Sequence, residues 1–260
     1  MINIIFETLP YFLLILIRLT SFFLIAPVFS MRGVPNQFKI GLGFFISLVA
    51  VISTPIDEPI LLDSTYILLI VKEFGIGISL GFTAALLLYA VQIAGAFIDF
   101  QMGFAMANVM DPQTGSQVPI IGHFKYMMAL LFCLTVNGHH MMLDGVMMSI
   151  ELFPVELTSF SIKPEQLAQF MTKVFIEMFL IALQIAIPIV GSLLLIDIAL
   201  GILAKTVPQL NVFVVGLPIK IFVGFILLFL TLPIYFYLLQ VLFGKIMSSM
   251  SQLIGLLGGI

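Results

Sequence analysis

Charge is what this chain lacks most. Only 9% of its 260 residues are Asp, Glu, Lys or Arg, and 62% are hydrophobic, whereas a soluble domain is about one quarter charged. With a mean hydropathy of +1.25, an ordinary water-soluble fold is excluded. A basic excess is missing too. The 10 Lys and Arg residues stand against 13 Asp and Glu, which leaves no electrostatic footprint for nucleic acid. Cysteine occurs once, as Cys133 in an apolar stretch, so no intrachain disulfide can form. No HExxH, GxSxG, CxxC or phosphate-binding glycine loop is present. Neither hydrolytic nor nucleotide chemistry is indicated, and no enzyme activity or cofactor is expected. The first ten residues hold no Lys or Arg, and no small-x-small cleavage site follows Leu13–Leu16. The N-terminus therefore reads as part of a first membrane helix and not as a cleaved signal peptide.

What is present is a series of long uncharged apolar runs: Ile40–Ile56, Phe74–Ile98, Tyr126–Leu143, Met178–Ile196 and Ile221–Gly244. Each approaches or exceeds the roughly 20 residues that a helix needs to cross a bilayer core. The fold class is therefore an all-α polytopic membrane protein with about six long, kinked helices. Arg32 and Lys39 bracket the first loop and Lys205 and Lys220 the last, while Asp57, Glu58 and Asp63 make the second loop acidic. Basic loops stay on the cytoplasmic side, which gives six crossings with both termini outside. The expected spans are Pro10–Met31, Lys39–Ile56, Thr65–Ile98, Phe124–Ile150, Gln169–Ala204 and Asn211–Phe243. The third, fifth and sixth run to roughly 30 residues or about 45 Å, longer than a bilayer core. Pro188, Pro218 and Pro233 lie inside the last two, where each removes a backbone donor and is expected to bend its helix. Carbonyls freed in this way are tolerated where protein or water satisfies them.

Several charges sit awkwardly for lipid: Arg18, the Lys72–Glu73 pair, Asp99, Asp197 and Lys220. Intramembrane ionisable groups usually pair and face a protein interior, although Arg18, Lys72 and Lys220 could also snorkel from helix ends. Asp197 follows the uncharged run Met178–Ile196, and a buried partner is expected for it, in this chain or in a neighbour. On the third helix Gly77 and Gly81 form a small-xxx-small spacing that lets another backbone approach closely.

The most unusual segment is Phe104–His123. It is too polar and too broken to span lipid, and its Asp111-Pro112-Gln113-Thr114-Gly115 is a turn signature. It also carries Phe104, Met106, Val109 and Met110, and flexible Met side chains seal irregular openings. Two readings stand: a surface loop with apolar anchors, or a re-entrant loop that closes a water-filled passage. His139, His140 and Asp144 invite a metal-site reading, but adjacent His side chains diverge by about 100° on a helix. They read as polar contacts at a helix end. The segment Lys205–Phe213 is either a plain hairpin or, through Gln209 and Asn211, a docking tip for a cytoplasmic partner.

The motifs in order resemble the FliR family of flagellar export-gate proteins, whose relatives serve type III secretion. They are Arg18 with Ala26-Pro27; Arg32-Gly33-Val34-Pro35 and Lys39; Lys72-Glu73 with Gly77 and Gly81; and Ala94-Gly95, Asp99, Gln101 and Gly103-Phe104. Then come Asp111-Pro112 with Gly115, Asn137-Gly138-His139, Pro188, Pro208-Gln209-x-Asn211-x-Phe213 and Gly216-x-Pro218-x-Lys220. The resemblance covers nearly the whole chain. One departure is Lys205, where the family often has Arg, which slightly weakens the case for bidentate pairing there, since Lys is a point donor.

The resemblance implies a non-enzymatic subunit of a helical complex with FliP-like and FliQ-like subunits, in which this chain is present as one copy. Residues 1–155 would form a FliP-like four-helix part, and residues 156–260 a FliQ-like helical hairpin and tail. This matches the break in hydrophobicity at Glu151–Lys173. It also implies a place in the bacterial inner membrane within the flagellar basal body, and FlhB-like and FlhA-like export proteins, exported flagellar subunits and membrane lipids as partners. Phe104, Ala105, Met106, Asn108, Val109, Met110, Asp111, Pro112, Gly115 and Pro119 would belong to a plug that keeps the resting channel shut. Arg18, Arg32, Lys72, Glu73, Asp99, Asp197, Lys205 and Lys220 would pair between subunits. Pro208, Gln209, Asn211 and Phe213 would meet the FlhB-like partner. The rival expectation is a stand-alone secondary transporter or ion-coupled channel using Asp99 or Asp197.

Overall fold

The computed structural model describes residues 2–31, 33–53, 60, 63–104, 119–155, 164–207, 209 and 211–258. Among them there are seven helices and no strand: α1 (Ile2–Ile25), α2 (Asn36–Ser53), α3 (Ser64–Met102), α4 (Ile120–Thr135), α5 (Gly138–Leu152), α6 (Pro164–Thr206) and α7 (Val212–Gly258). Five are long and apolar enough to cross a membrane, and a sixth span results when α4 and α5 count as one broken crossing. An all-α polytopic architecture follows. At about 1.5 Å per residue, α3, α6 and α7 are each far longer than the roughly 30 Å hydrocarbon core.

Local chemistry sets the helix ends. α1 stops at Ile25 because Pro27 cannot donate to the ladder, and Val28 takes φ 71°. A β-branched residue in that region carries strain of order 1–3 kcal/mol. The expected first span ran on to Met31, which this proline corner prevents. Asp63 caps α3 by accepting the Thr65 N–H at 2.9 Å. The Thr65 side-chain hydrogen bond leads in holding this exposed carboxyl below its ordinary value. The expected fourth span is broken by Asn137, which sits at φ 57° and N-caps α5. Asn137 can be left-handed at modest cost. Pro188, Pro218 and Pro233 lie inside unbroken helices. Downstream of Pro188, the Ser192 hydroxyl donates to the Pro188 carbonyl at 2.7 Å. α7 also continues beyond the expected Phe243 to Gly258.

The chain forms two compact units. One comprises Met1–Leu87, Val136–Phe175 and Gly244–Ile260, the other Leu88–Thr135 and Ile176–Phe243. The units group residues by packing and interleave the chain, so they do not bear on the expected division at residue 155.

In the first unit α1 buries Tyr11, Leu14, Ile15, Leu19, Phe22, Phe23 and Ala26, the three-and-four spacing of one helical face. α3 answers with Leu69, Ile76, Leu80, Ala84 and Leu87. The two backbones nearly touch at Gly77, where a Cβ would strike the Arg18 carbonyl and the Ser21 hydroxyl. At Gly81 a Cβ would lie 3.0 Å from the Phe22 carbonyl oxygen. The small-xxx-small spacing thus works as expected. α2 turns Lys39, Gly43, Ser47 and Ala50 inward, and Phe44 meets Phe12 of α1 edge-on at 5.2 Å.

In the second unit α3 and α4 meet glycine to glycine, with a Cβ on Gly95 running into the Gly122 backbone. Tyr235 of α7 donates its hydroxyl to the Lys125 carbonyl of α4 at 2.5 Å. Phe97 and Phe179 join α3 to α6 edge-on at 6.1 Å.

Candidate functional site: buried charges and the loop anchors

Two arrangements gather the polar residues of this apolar chain, one in each unit. In the first unit Arg18 of α1 is completely buried, as is Glu73 of α3. Arg18 directs Nε and Nη2 to the two Glu73 carboxylate oxygens, the latter at 3.0 Å. Nη1 reaches the Ser149 carbonyl at 2.7 Å and the Ser149 hydroxyl at 3.1 Å, and Nη2 also reaches the Phe153 carbonyl at 3.0 Å. All five guanidinium donors are thereby used. Lys72 pairs with Glu73 at 2.9 Å. Its ammonium also donates to the carbonyls of Pro154 at 3.2 Å and Val155 at 2.8 Å. It lies 4.9 Å from the centre of the Phe153 ring.

Two cations therefore face one carboxylate. The surplus positive charge meets carbonyls at and just beyond the C-terminal end of α5, the negative pole of that helix. Snorkelling is ruled out for Arg18 and Lys72, because both side chains are sealed inside the chain.

In the second unit Asp197 of α6 pairs with Lys220 of α7 at 2.7 Å and accepts the Gln101 amide at 2.7 Å. The Asp197 side chain is 41% exposed and that of Lys220 18%, so the pair is only partly removed from solvent. It lies in an open cleft of about 510 Å³, with Gly103, Phe213 and Gly216 among its walls. Residues of three separate sequence motifs, Gln101 with Gly103, Phe213, and Gly216 with Lys220, thus share one cleft.

Above that cleft α3 ends at Gly103, whose φ of +90° suits glycine. Phe104 follows, its ring 6.3 Å from Phe225. On the far side of the loop α4 starts after Pro119, and the His123 N–H bonds the Pro119 carbonyl at 2.8 Å. Asp99 joins the two stems. Its carboxylate accepts the Ile121 N–H at 3.0 Å and the Gly122 N–H at 3.3 Å, which caps α4 from the last turns of α3.

Of the expected plug residues, Phe104 and Pro119 stand at these two stems. Ala105, Met106, Asn108, Val109, Met110, Asp111, Pro112 and Gly115 lie outside the described residues, as do Arg32 and Pro208. Lys205, Gln209 and Asn211 are exposed, and Phe213 is 85% exposed. The rings of His139 and His140 lie 4.1 Å apart, tilted by 51° to each other. Among the described residues no three His, Cys, Asp or Glu side chains are arranged to hold a metal.

Sequence reasoning missed Ser149, Lys125 and Tyr235. Ser149 carries no signal in the sequence. Lys125 does, as the one Lys, Arg, Asp or Glu between Asp111 and Asp144.

Comparison with known proteins gives a consistent picture. The family model described as bacterial export proteins, family 1, matches residues 9–246. The flagellar biosynthetic protein FliR of Bacillus subtilis is 47% identical over 258 residues, 98% of this chain and 99% of the relative. The FliR protein of Escherichia coli is 31% identical over 92% of this chain and 90% of its own length. The Yop proteins translocation protein T of Yersinia pestis is 30% identical over 83% of each.

Proposed function

The chain belongs to the bacterial export proteins, family 1, and from that premise we propose that it is a non-enzymatic subunit of the flagellar type III export gate. Nearly end-to-end similarity to a flagellar FliR protein carries this reading. The related translocation protein T extends it to type III secretion at large. The gate lies in the bacterial inner membrane within the flagellar basal body. One copy of this chain assembles there with FliP-like and FliQ-like subunits around a channel for unfolded flagellar subunits. Residues 1–155 act as the FliP-like part and residues 156–260 as the FliQ-like hairpin and tail. FlhB-like and FlhA-like proteins meet the complex from the cytoplasm, the former at Pro208, Gln209, Asn211 and Phe213.

In this reading the segment between Phe104 and Pro119 plugs the resting channel. The support is mechanical. Asp99 binds the Ile121 and Gly122 N–H groups at one stem, and Gly103 turns the chain at the other. Fixed stems let the intervening residues be displaced by a passing chain without unpacking a helix. The partly exposed Asp197–Lys220 pair, with the exposed Lys205, is where charge remains available to a neighbouring subunit, and Arg32, outside the described residues, would serve the same contacts. Arg18, Lys72 and Glu73 are satisfied within the chain.

The test is deletion of Ala107–Gln117 in the assembled complex. Complex yield should be unchanged, while the membrane becomes permeable to small ions. Unchanged conductance would overturn the plug reading.

A further inference from the structure

The last turn of α3 is held from opposite sides. Asp99 and Gln101 are two residues apart and so point about 200° apart around the helix. Asp99 faces α4, where it accepts the Ile121 and Gly122 N–H groups. Gln101 faces the other way, and its amide donates to Asp197 Oδ2 of α6 at 2.7 Å. The other oxygen of that carboxylate holds the Lys220 ammonium of α7 at 2.7 Å. One carboxylate thus joins α3, α6 and α7.

Apolar contacts next to this bond set the same stem. Met102 is fully buried and fills the notch left by Gly224 of α7, where a Cβ would lie 2.7 Å from the methionine Cε. At Gly103 a Cβ would strike Leu217 of α7, and its φ of +90° turns the chain out of the helix. Within residues 100–104 Gln101 is the one polar side chain. A neutral amide suits that position, since a carboxylate there would repel Asp197 and a cation would compete with Lys220. Solvent reaches the Asp197–Lys220 pair, which keeps the tie weak. It biases where the end of α3 lies without fixing it.

We propose that Gln101 is the positioning residue of the channel-closing loop. Its bond to the Asp197–Lys220 pair holds the Gly103–Phe104 stem on α6 and α7, and loss of that bond frees the stem and lets the resting channel leak. The leak rests on the plug reading above; the anchoring of the stem does not.

Two measurements separate these parts. The rings of Phe104 and Phe225 lie 6.3 Å apart, so a short bismaleimide bridging Phe104→Cys and Phe225→Cys reports how closely the stem keeps to α7. The full-length chain carries Cys133→Ala for this purpose and is held in vesicles. Gln101→Leu should lower the cross-linking rate about fivefold, as loss of a hydrogen bond to a partly solvated charge implies. Gln101→Glu combined with Asp197→Asn should restore it, because one amide and one carboxylate still meet. The thermal midpoint of Gln101→Leu in detergent should stay close to that of the wild type, which sets positioning apart from folding. An unchanged cross-linking rate, or a loss that the exchange fails to repair, would overturn the anchoring role. In the assembled complex Gln101→Leu should pass small ions, though less freely than the Ala107–Gln117 deletion. A leaking deletion beside a tight Gln101→Leu would overturn the link from stem to closure. A deletion that does not leak would count against the plug, and the cross-linking rate would still decide the anchor.

Discussion

Arg18 is the side chain on which the first unit turns. It joins α1 to α3 through Glu73 and to the end of α5 through Ser149 and Phe153, using every donor it has. Lysine offers three donors on one atom and cannot reproduce the fork. Arg18→Lys should therefore destabilise the chain by about 1–3 kcal/mol, because buried acceptors lose their donors, and Glu73→Gln by about 3–5 kcal/mol, because it leaves the buried Arg18 and Lys72 without a counter-charge. Thermal unfolding in detergent checks both. Asp197→Ala, which breaks a half-exposed pair, should cost the isolated chain less than about 1 kcal/mol yet reduce the yield of assembled complex. Normal yield would remove Asp197 from the inter-subunit contacts. The sequence marked Arg18, Lys72, Glu73 and Asp197 as charges in need of partners, since a charge in an apolar run stands out in one dimension. It did not say which partners. Arg18 and Glu73 are 55 positions apart, and the carbonyls of Phe153, Pro154 and Val155 have no residue-type signature at all.

At the scale of helices, glycine spacing was a better guide than hydrophobicity. Gly77 and Gly81 were read as a close-approach face, and α1 does lie against them. Gly75, two residues away, faces open space. The pair makes a clean contrast. Gly77→Ala should force the α1 and α3 backbones apart and cost about 1–3 kcal/mol, whereas Gly75→Ala should be neutral or stabilising by up to about 1 kcal/mol. Equal midpoints for the two variants would contradict the α1–α3 packing. Apolar runs predicted that the helices exist but blurred their ends, because hydropathy does not register capping. Pro27 ends α1 early, Asn137 divides α4 from α5, and α7 passes through Lys245 and the serines after it to Gly258. The runs of α3, α6 and α7, too long for a bilayer, were visible from the outset.

For the molecule as a whole, exposed apolar surface is the dominant fact. Phe222, Phe229 and Leu230 of α7 are each more than two-thirds exposed, as is Phe45 of α2. Lipid and neighbouring protein are the only media that stabilise such surface. Helices this long exceed the hydrocarbon core, and tilt, kinks or extension beyond the bilayer must absorb the excess. The family and the all-α membrane architecture were legible in the sequence because short motifs recur in a fixed order along nearly the whole chain. The convergence of Gln101, Gly103, Phe213 and Lys220 on one cleft was not, since it depends on how α3, α6 and α7 pack within the second unit. The most direct test of the central claim is native mass spectrometry of the tagged chain, co-expressed with its genomic neighbours and extracted in mild detergent. An export-gate subunit should appear as one copy bound to several copies of two other small membrane proteins. A stable monomer or homodimer carrying no other protein would contradict it.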